Sequence, residues 1–537
     1  MNLIQSALRA VGLANVPQPS ASYLRGLPET APTALLHLPV RPSLRSADTD
    51  VRVAWAHAAA RAVEACHNNG WISGVVNTLT SLMVGEQLRP NLRPDFSWAG
   101  WDEKQAAEWA RLVERRFSIW ASSPWECDAG GRRSLGQMQA AVVRSWFGSG
   151  DAVAQIPMID RVGSTWRTKM RLIPPHQLVT SSDPMQRLNS GVYLDGDGAP
   201  AGYLLFQPDL YGQHREVRAP ARDGFGRPMM VHMFDGEIGA VRGITPFAPI
   251  LRVLRNYDQL SDATLTAAMI HAIFAATIES DYPTGDVLDA LKDEDEQRSD
   301  LDATGATRFD EWMGQKIGWH QNVDIDLGRH GKIAHLMSGE HLKLHSSEHP
   351  NSTYEAFANF LLREIAACAG ATFEDMTGDY RGATYSSIRM GIAKQWPGLL
   401  YRRRHVPVPF SQAALDAFIE EEVDTGAVPF PGGIAAFVEH KAEVCRAEWR
   451  GPAKPQADEV KAQKAHEGYR KMGVMTDEHI CAELGTDYED VYRQRAFERE
   501  QREAFNIHGG ITNGGTDSDR MDEIGGADPG AEPGSEE

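Results

Sequence analysis

Residues 362–396 read LREIAACAGATFEDMTGDYRGATYSSIRMGIAKQW. An apolar helix gives way to a break rich in Gly and Thr, and a second helix then opens on Tyr385, Ser386 and Ser387. Within the break Gly378 and Gly382 let the backbone bend tightly, and Thr384 is placed to cap the helix that follows. Taken alone, the stretch is a connector between two helices.

Length and composition bound what surrounds it. A chain of 537 residues predicts three or four domains, and 42% hydrophobic residues supply enough core for them. A formal charge of −19 argues against a protein that grips nucleic acid tightly, because phosphate binding needs clustered Lys and Arg, but it allows one past which a duplex slides. Cys66, Cys127, Cys368, Cys445 and Cys481 are far apart and form no CxxC pair, which fits a reducing compartment and neither a disulfide frame nor a zinc site. The opening MNLIQSALRAVGLANV is a short amphipathic segment without the features of a secretion signal. The longest apolar window, Leu265 to Ile278, contains His271 and is too short to span a bilayer, which takes about 20 apolar residues.

Working outward, residues 17–50 are rich in Pro, Ser and Leu with no period, predicting an extended arm. Helices are predicted from Asp50 to the stop signal Asn68, Asn69, Gly70, then over Gly74 to Met83, Glu103 to Trp120, and Ser134 to Phe147 with Ser134 as cap. Residues 150–245 switch to short alternating runs, with Asp195, Gly196, Asp197 and Gly198 as a hairpin turn, so this part is mixed and largely antiparallel β. A long helix capped by Thr245, with Pro246 at its first position, is expected to reach Ile278, about 50 Å. On sequence alone it reads as a core helix of a large domain, although its alanines, Ala263 to Ala276, offer small surfaces for close helix approach. The polar and β-like stretch of about 60 residues that follows is too long for a bare connection and predicts a small module. Helices are expected again at 411–423, 457–472, 476–483 and 487–505, before an acidic, Gly-rich tail that is expected to stay disordered.

Catalytic signatures are absent: the chain has no phosphate-binding G-x-x-x-x-G-K-[ST] loop, no G-x-S-x-G elbow and no H-E-x-x-H helix. Gly196, Gly198 and Gly202 have the wrong spacing for a dinucleotide fingerprint and read as turn glycines. His330, His335, His341, His345 and His349 are the best metal candidates, and they carry the competing reading, a metal-dependent nucleic-acid-processing enzyme. However, HLKLHSSEH begins by alternating like a strand, which puts His341 and His345 about 13 Å apart, too far to share an ion. No cofactor is expected. The acids Glu420, Glu421 and Glu422 point in different directions from one helix and read as a solvated face. The basic run Tyr401, Arg402, Arg403, Arg404, His405 reads either as a solvated helix end or as a DNA contact.

From about residue 50 to 508 the chain resembles the lambda-type phage portal proteins. The opening stretch carries the resemblance: Ile365, Ala366, Gly370, Phe373, Glu374, Thr377, Gly378 and Asp379 follow the family's "IA..G..YE..TGD" turn, and Tyr385, Ser386, Ser387 and Arg389 its "YSS.R". Supporting it in order are Gly70, Trp71, Gly74, Asn77, Val84 and Gly85; Trp120, Asp128, Gly130 and Arg132; Gly150 and Asp151; Arg242, Gly243 and Ile244; and Trp449, Gly451, Pro452, Asp458, Lys461 and Ala462. Ala457, Asp458 and Glu459 replace the family's usual Asp-Pro, and Ala152, Val153 and Ala154 stand where it often has larger residues.

The resemblance implies an α+β, multidomain subunit of a dodecameric ring. It would comprise an arm (1–50), a wing of helices and antiparallel β (51–245), a stem helix (246–280), a clip (281–350), a second stem helix with tunnel loop and following helix (351–400), a helical crown (401–508) and an acidic tail (509–537). The tunnel loop would be Asp379, Tyr380, Arg381, Gly382, Ala383 and Thr384, with Tyr380 and Arg381 able to touch a duplex backbone or stack. Also implied are a place at the portal vertex of the virion after assembly in the host cytoplasm, no enzymatic activity, and double-stranded DNA passing through without sequence specificity. The implied partners are further copies of the chain, the terminase large subunit, head-tail completion or adaptor proteins, and the major capsid and scaffold proteins, with no membrane. A ring-forming adaptor or scaffold is a further reading, disfavoured by this chain's length and long helix.

Overall fold

The structure is a computed structural model and describes residues 46–208, 214–273, 276–280, 314, 340–344, 354–455 and 459–505. These divide into two compact units, one made of residues 46–248 with 369–505, the other of residues 249–368. The expected acidic tail, all but the last residues of the arm, and most of the module at 281–350 lie outside the described residues.

The first unit opens on two helices, α1 (Ala47–Asn68) and α2 (Gly70–Val84). Asn69 separates them and caps α2, its side-chain oxygen accepting from the N–H groups of Trp71 and Ile72 at 3.1 Å each. Ala54, Ala58 and Ala62, four apart, form the buried stripe of α1, while Ile72, Val75, Val76, Leu79 and Met83 bury one face of α2. Strand β1 (Arg89–Leu92) leads to α3 (Glu103–Ser122), entered through an Asp102/Gln105 capping box. Helix α4 (Leu135–Ser149) starts on the expected Ser134 cap, which forms a second box with Gln137, and ends on Gly150 in the left-handed region.

The alternating region then builds two antiparallel sheets. One has the order β3-β2-β8, from β2 (Asp151–Gln155), β3 (Arg171–Ile173) and β8 (Met230–Phe234), with Asp151 opposite Phe234. The other is a meander of β4 (Leu188–Asn189), β5 (Val192–Leu194), β6 (Pro200–Pro208) and β7 (His214–Pro220). Val153, Ile173, Leu178, Val192, Tyr203 and Leu205 share one core between them. The β5–β6 turn is the predicted hairpin, with Asp195 Oδ1 accepting from the N–H groups of Asp197 and Ala199. Gly202 is not a turn glycine. It lies inside β6, where a Cβ would come within 3.0 Å of Ala219 O on β7.

The second unit contains α5 (Leu251–Ile273), the antiparallel pair β9 (Ala276–Ser280) and β10 (Glu340–Leu344), and α6 (Tyr354–Ala369) up to Cys368. The expected single helix from Pro246 to Ile278 is therefore shorter, about 35 Å over 23 residues. At its start Thr245 Oγ1 accepts from Phe247 N–H at 3.1 Å, ahead of a 3₁₀ turn, Ala248–Ile250, so Thr245 does not cap the α-helix itself. At its end the β-favouring Thr277 and Ile278 leave the helix and pair with Lys343 and Leu342.

The first unit resumes with α7 (Phe373–Thr377), α8 (Tyr385–His405), α9 (Pro407–Asp424), α10 (Gly433–Val444), β11 (Ala447–Arg450), α11 (Glu459–Lys471), α12 (Asp477–Glu483) and α13 (Tyr488–Ala504). β11 pairs antiparallel with β1. The mixed helix-and-sheet architecture is the α+β class expected. Helix α9 is central: Phe418 packs against Phe117 (5.3 Å between centroids), Trp120 (5.6 Å) and Trp166 (5.8 Å).

That central position overturns the reading of the acidic run. Glu421 and Glu422 are buried, at 5% and 1% exposure. Glu421 accepts from the backbone N–H groups of Arg167 (2.6 Å) and Thr168 (2.8 Å). Glu422 accepts from Nε and Nη2 of Arg116, along one edge of the guanidinium, and from Trp166 Nε1. Every carboxylate oxygen of the pair has a donor, which is the condition for leaving such groups in a core.

Candidate functional site

The loop singled out in the sequence is a compact exposed turn between α7 and α8. A Thr372/Asp375 capping box starts α7, and Gly378 ends it at φ +66°. Asp379 N–H donates to Thr377 Oγ1 at 3.2 Å, and Asp379 Oδ1 then accepts Arg381 N–H at 2.9 Å, an Asx turn. Gly382 sits at φ +77°, Ala383 N–H bonds Tyr380 O at 3.1 Å, and a Thr384/Ser387 box opens α8. All six predicted loop residues, Asp379 to Thr384, thus lie on one turn that is fastened at both ends.

Its charges are compensated internally. The Arg381 guanidinium grips Asp379 through Nε (3.0 and 3.1 Å) and Nη2 (2.8 Å). These bonds hold the Asp379 carboxyl down at about 2. Tyr380 is 55% exposed and borders a small cavity of about 200 Å³ with Thr78 and Leu82 of α2 and Ile388, Trp396 and Leu399 of α8. Lys461 Nζ lies 5.2 Å from the ring centroid of Tyr385 at the start of α8.

Helix α8 continues through Pro397 to His405, and the basic run at its end serves the fold. Arg403, 7% exposed, donates to Met83 O and Leu82 O at 2.9 Å each, satisfying carbonyls at the C-terminus of α2, and to Pro452 O at 3.5 Å. Burial lowers its guanidinium to about 10. Gly451 must lack a side chain because a Cβ there would meet Arg403 Cζ at 2.7 Å. Arg402 donates to Ala369 O and lies over Trp146, and Gly370, at φ +76°, leaves room for its guanidinium. Neither arginine belongs to a solvated helix end, and neither presents its guanidinium to phosphate.

This clamp was not legible in the sequence, though Arg403 lies in its most basic run and Gly451 in the Trp449, Gly451, Pro452 motif. The signal available was the placement of Arg402 and Arg403 immediately before an apolar helix. Among the described residues no group of three or more His, Cys, Asp or Glu could hold a metal ion. His341 lies in β10, opposite Glu279, as its alternating context predicted. His330, His335, His345 and His349 lie outside the described residues. No helix among the described residues is long and apolar enough to cross a membrane.

The family model described as phage portal protein, lambda family, matches residues 37–403. The portal protein of Escherichia phage N15 is 25% identical over 474 residues, covering 87% of this chain and 88% of that protein. Portal protein B of Escherichia phage lambda is 25% identical over 455 residues, covering 83% and 84%. Among solved structures, a chain from the neck of an empty gene transfer agent particle computed with C6 symmetry covers 83% of this chain and 94% of its own length, with 14% identity and a TM-score of 0.43. An HK97-family phage portal protein from Corynebacterium diphtheriae covers 68% and 90%, with 9% identity and a TM-score of 0.30. With the family model matching well over half its length, the chain belongs to the lambda family of phage portal proteins.

Proposed function

We propose that twelve copies of this chain close into a ring at one vertex of the capsid, and that the turn Asp379–Thr384 lines the channel through which duplex DNA enters during packaging and leaves on ejection. The observation that carries this reading is the turn itself: exposed, held at its start by the Gly378 cap and the Asp379 N–H to Thr377 Oγ1 bond and at its end by the Thr384/Ser387 capping box, and internally neutralised at Arg381. A channel element must touch a moving duplex without holding it, and each free cation adds an electrostatic well through counterion release. Pairing Arg381 with Asp379 weakens that well. The formal charge of −19 acts in the same direction for the chain as a whole.

Self-assembly is supported by the C-terminal helices. α11, α12 and α13 have no buried residue in the single chain, and together with the residues that join them they expose Val460, Tyr469, Met472, Val474, Leu484, Tyr492 and Phe497. Helices this short gain most of their stability from tertiary packing, which neighbouring copies would supply. In this reading the chain is a conduit and docking hub in the virion. ATP hydrolysis belongs to a separate terminase large subunit, and head-tail completion, capsid and scaffold proteins dock on the ring, assembled in the host cytoplasm.

Single-particle electron microscopy of the purified chain tests the reading. The expected result is a closed ring with a hole wide enough for a duplex and residues 379–384 on its wall. A monomer or compact dimer that persists across concentration and salt would overturn it.

A further inference from the structure

Helices α1 and α4 border an open cavity of about 1210 Å³, floored by small residues of both helices and rimmed by cations. Arg132, Arg133 and Arg144 stand on the rim with His67 and His176, all exposed, and the carboxylate among the lining residues is Glu86. Arg132 and Arg133 make no ion pair among the described residues. Asp128, in the same turn, directs its carboxylate to the backbone N–H groups of Gly130 (3.0 Å), Arg132 (2.9 Å) and Arg133 (3.1 Å) instead. Arg144 donates to the amide oxygen of Asn77 at 3.4 Å. A concave basic rim of this kind stands out in a chain of charge −19.

We infer that this rim is the docking site of the chain's own acidic C-terminal segment, residues 506–537. The segment carries eight carboxylates against one guanidinium, Arg520, so its charge complements the rim. It is rich in Gly and has no aromatic residue, so it fits against a floor of small side chains. From Phe505 it reaches about 100 Å when extended, against a radius of gyration of about 20 Å for a compact unit of this size. Several weak exposed pairs on one tether act together, because each bound carboxylate raises the effective concentration of the next. The docked segment competes with phosphate for the rim arginines and keeps duplex from binding there. This inference goes beyond the channel reading and does not depend on it.

The test uses the full chain with the photocrosslinker p-benzoylphenylalanine in place of Ile524, followed by digestion and mass spectrometry. Cross-links to peptides from residues 55–67 and 132–149 are expected. Their yield should fall about fivefold or more in Arg132→Glu/Arg133→Glu/Arg144→Glu. An equal fall is expected when only the segment is reversed, by Asp517→Lys/Asp519→Lys/Asp522→Lys/Glu523→Lys, which leaves the rim untouched. Combining the two sets should restore the yield. Cross-links spread over other surfaces, or a yield indifferent to either reversal, would overturn the proposal.

Discussion

Asp379 and Arg381 are locked to each other twice, once through the backbone N–H of Arg381 and once through its guanidinium, so the same carboxylate shapes the turn and neutralises it. Replacing Asp379 by Asn separates the two roles. Asn keeps the Asx turn, since its Oδ1 still accepts the Arg381 N–H, but it removes the charge opposite the guanidinium. The Asp379→Asn chain should bind duplex about three- to tenfold tighter at low salt. Its log–log salt dependence should steepen by up to about 0.9 for each arginine that reaches a phosphate. Fluorescence anisotropy with a labelled duplex reads both, and an unchanged slope would sink the assignment of this turn to the channel. Because Asp379 titrates near 2 rather than its ordinary 3.8, the pairing contributes fully above that ordinary value and is lost only as pH falls through about 2. Binding measured at pH 4.5 should therefore still distinguish the two chains.

Gly150 and Gly243 cross so closely that neither tolerates a side chain. Gly150 has φ +88°, and a Cβ there would lie 2.1 Å from Ile244 C; a Cβ on Gly243 would lie 2.1 Å from Gly150 O. Gly150→Ala combines left-handed strain with a backbone clash and should lower stability by about 3 kcal/mol. Gly163→Ala is the control, since Gly163 has φ +77° but open space around it, and should cost about 1 kcal/mol. Equal shifts in thermal midpoint for the two variants would refute the clash.

The helices, caps and hairpin were legible because local chemistry dictates them: Ser134 and Thr384 are side-chain caps, and Asp195 folds back on its own turn. Positions governed by partners distant in sequence were not. Glu421 and Glu422 read as solvent-facing until Arg116, Trp166 and the 167–168 backbone, more than 250 residues earlier, supply their donors. Arg403 read as a surface cation until the end of α2, 320 residues earlier in the chain, proves to need its N–H groups. The long helix was overextended because its alanines favour helix up to the point where β10 offers a pairing edge to Thr277 and Ile278. The candidate loop itself could be bounded from its glycines and its cap, but the Asp379–Arg381 pairing that sets its charge needed coordinates.

The buried carboxylate of Glu422 faces Arg116, which is 31% exposed, and Trp166 Nε1. Glu422→Gln keeps the shape and the acceptor for Trp166 while removing the charge opposite the guanidinium. It should lower stability by about 2–4 kcal/mol, the usual range for removing one member of a buried pair. The double variant Arg116→Leu/Glu422→Leu should recover part of that loss, because no unpaired charge remains. Thermal unfolding followed by far-UV circular dichroism reads the stability of each variant. A double variant whose loss equals the sum of those of Arg116→Leu and Glu422→Leu made singly would show that the pair is not coupled.

Glu114 of α3 gives the chain a pH dependence of the opposite sign to that of Asp379. Burial raises its carboxyl to about 7 from an ordinary 4.5, even though it accepts Leu92 N–H at 2.7 Å. The folded chain therefore holds a proton that the unfolded chain has released between those two values. Stability falls as pH rises from about 4.5 to 7 and is flat beyond, by about 1–3 kcal/mol for a half-buried group. Asp416, raised by burial to about 6 from 3.8, adds a slope of the same sign at lower pH, so the interval from pH 6 to 7 isolates Glu114. Glu114→Gln preserves the acceptor and cannot ionise. It should raise the thermal midpoint at pH 8, leave it unchanged at pH 4.5, and remove the decline between pH 6 and 7. A decline that survives the substitution would assign it to another group.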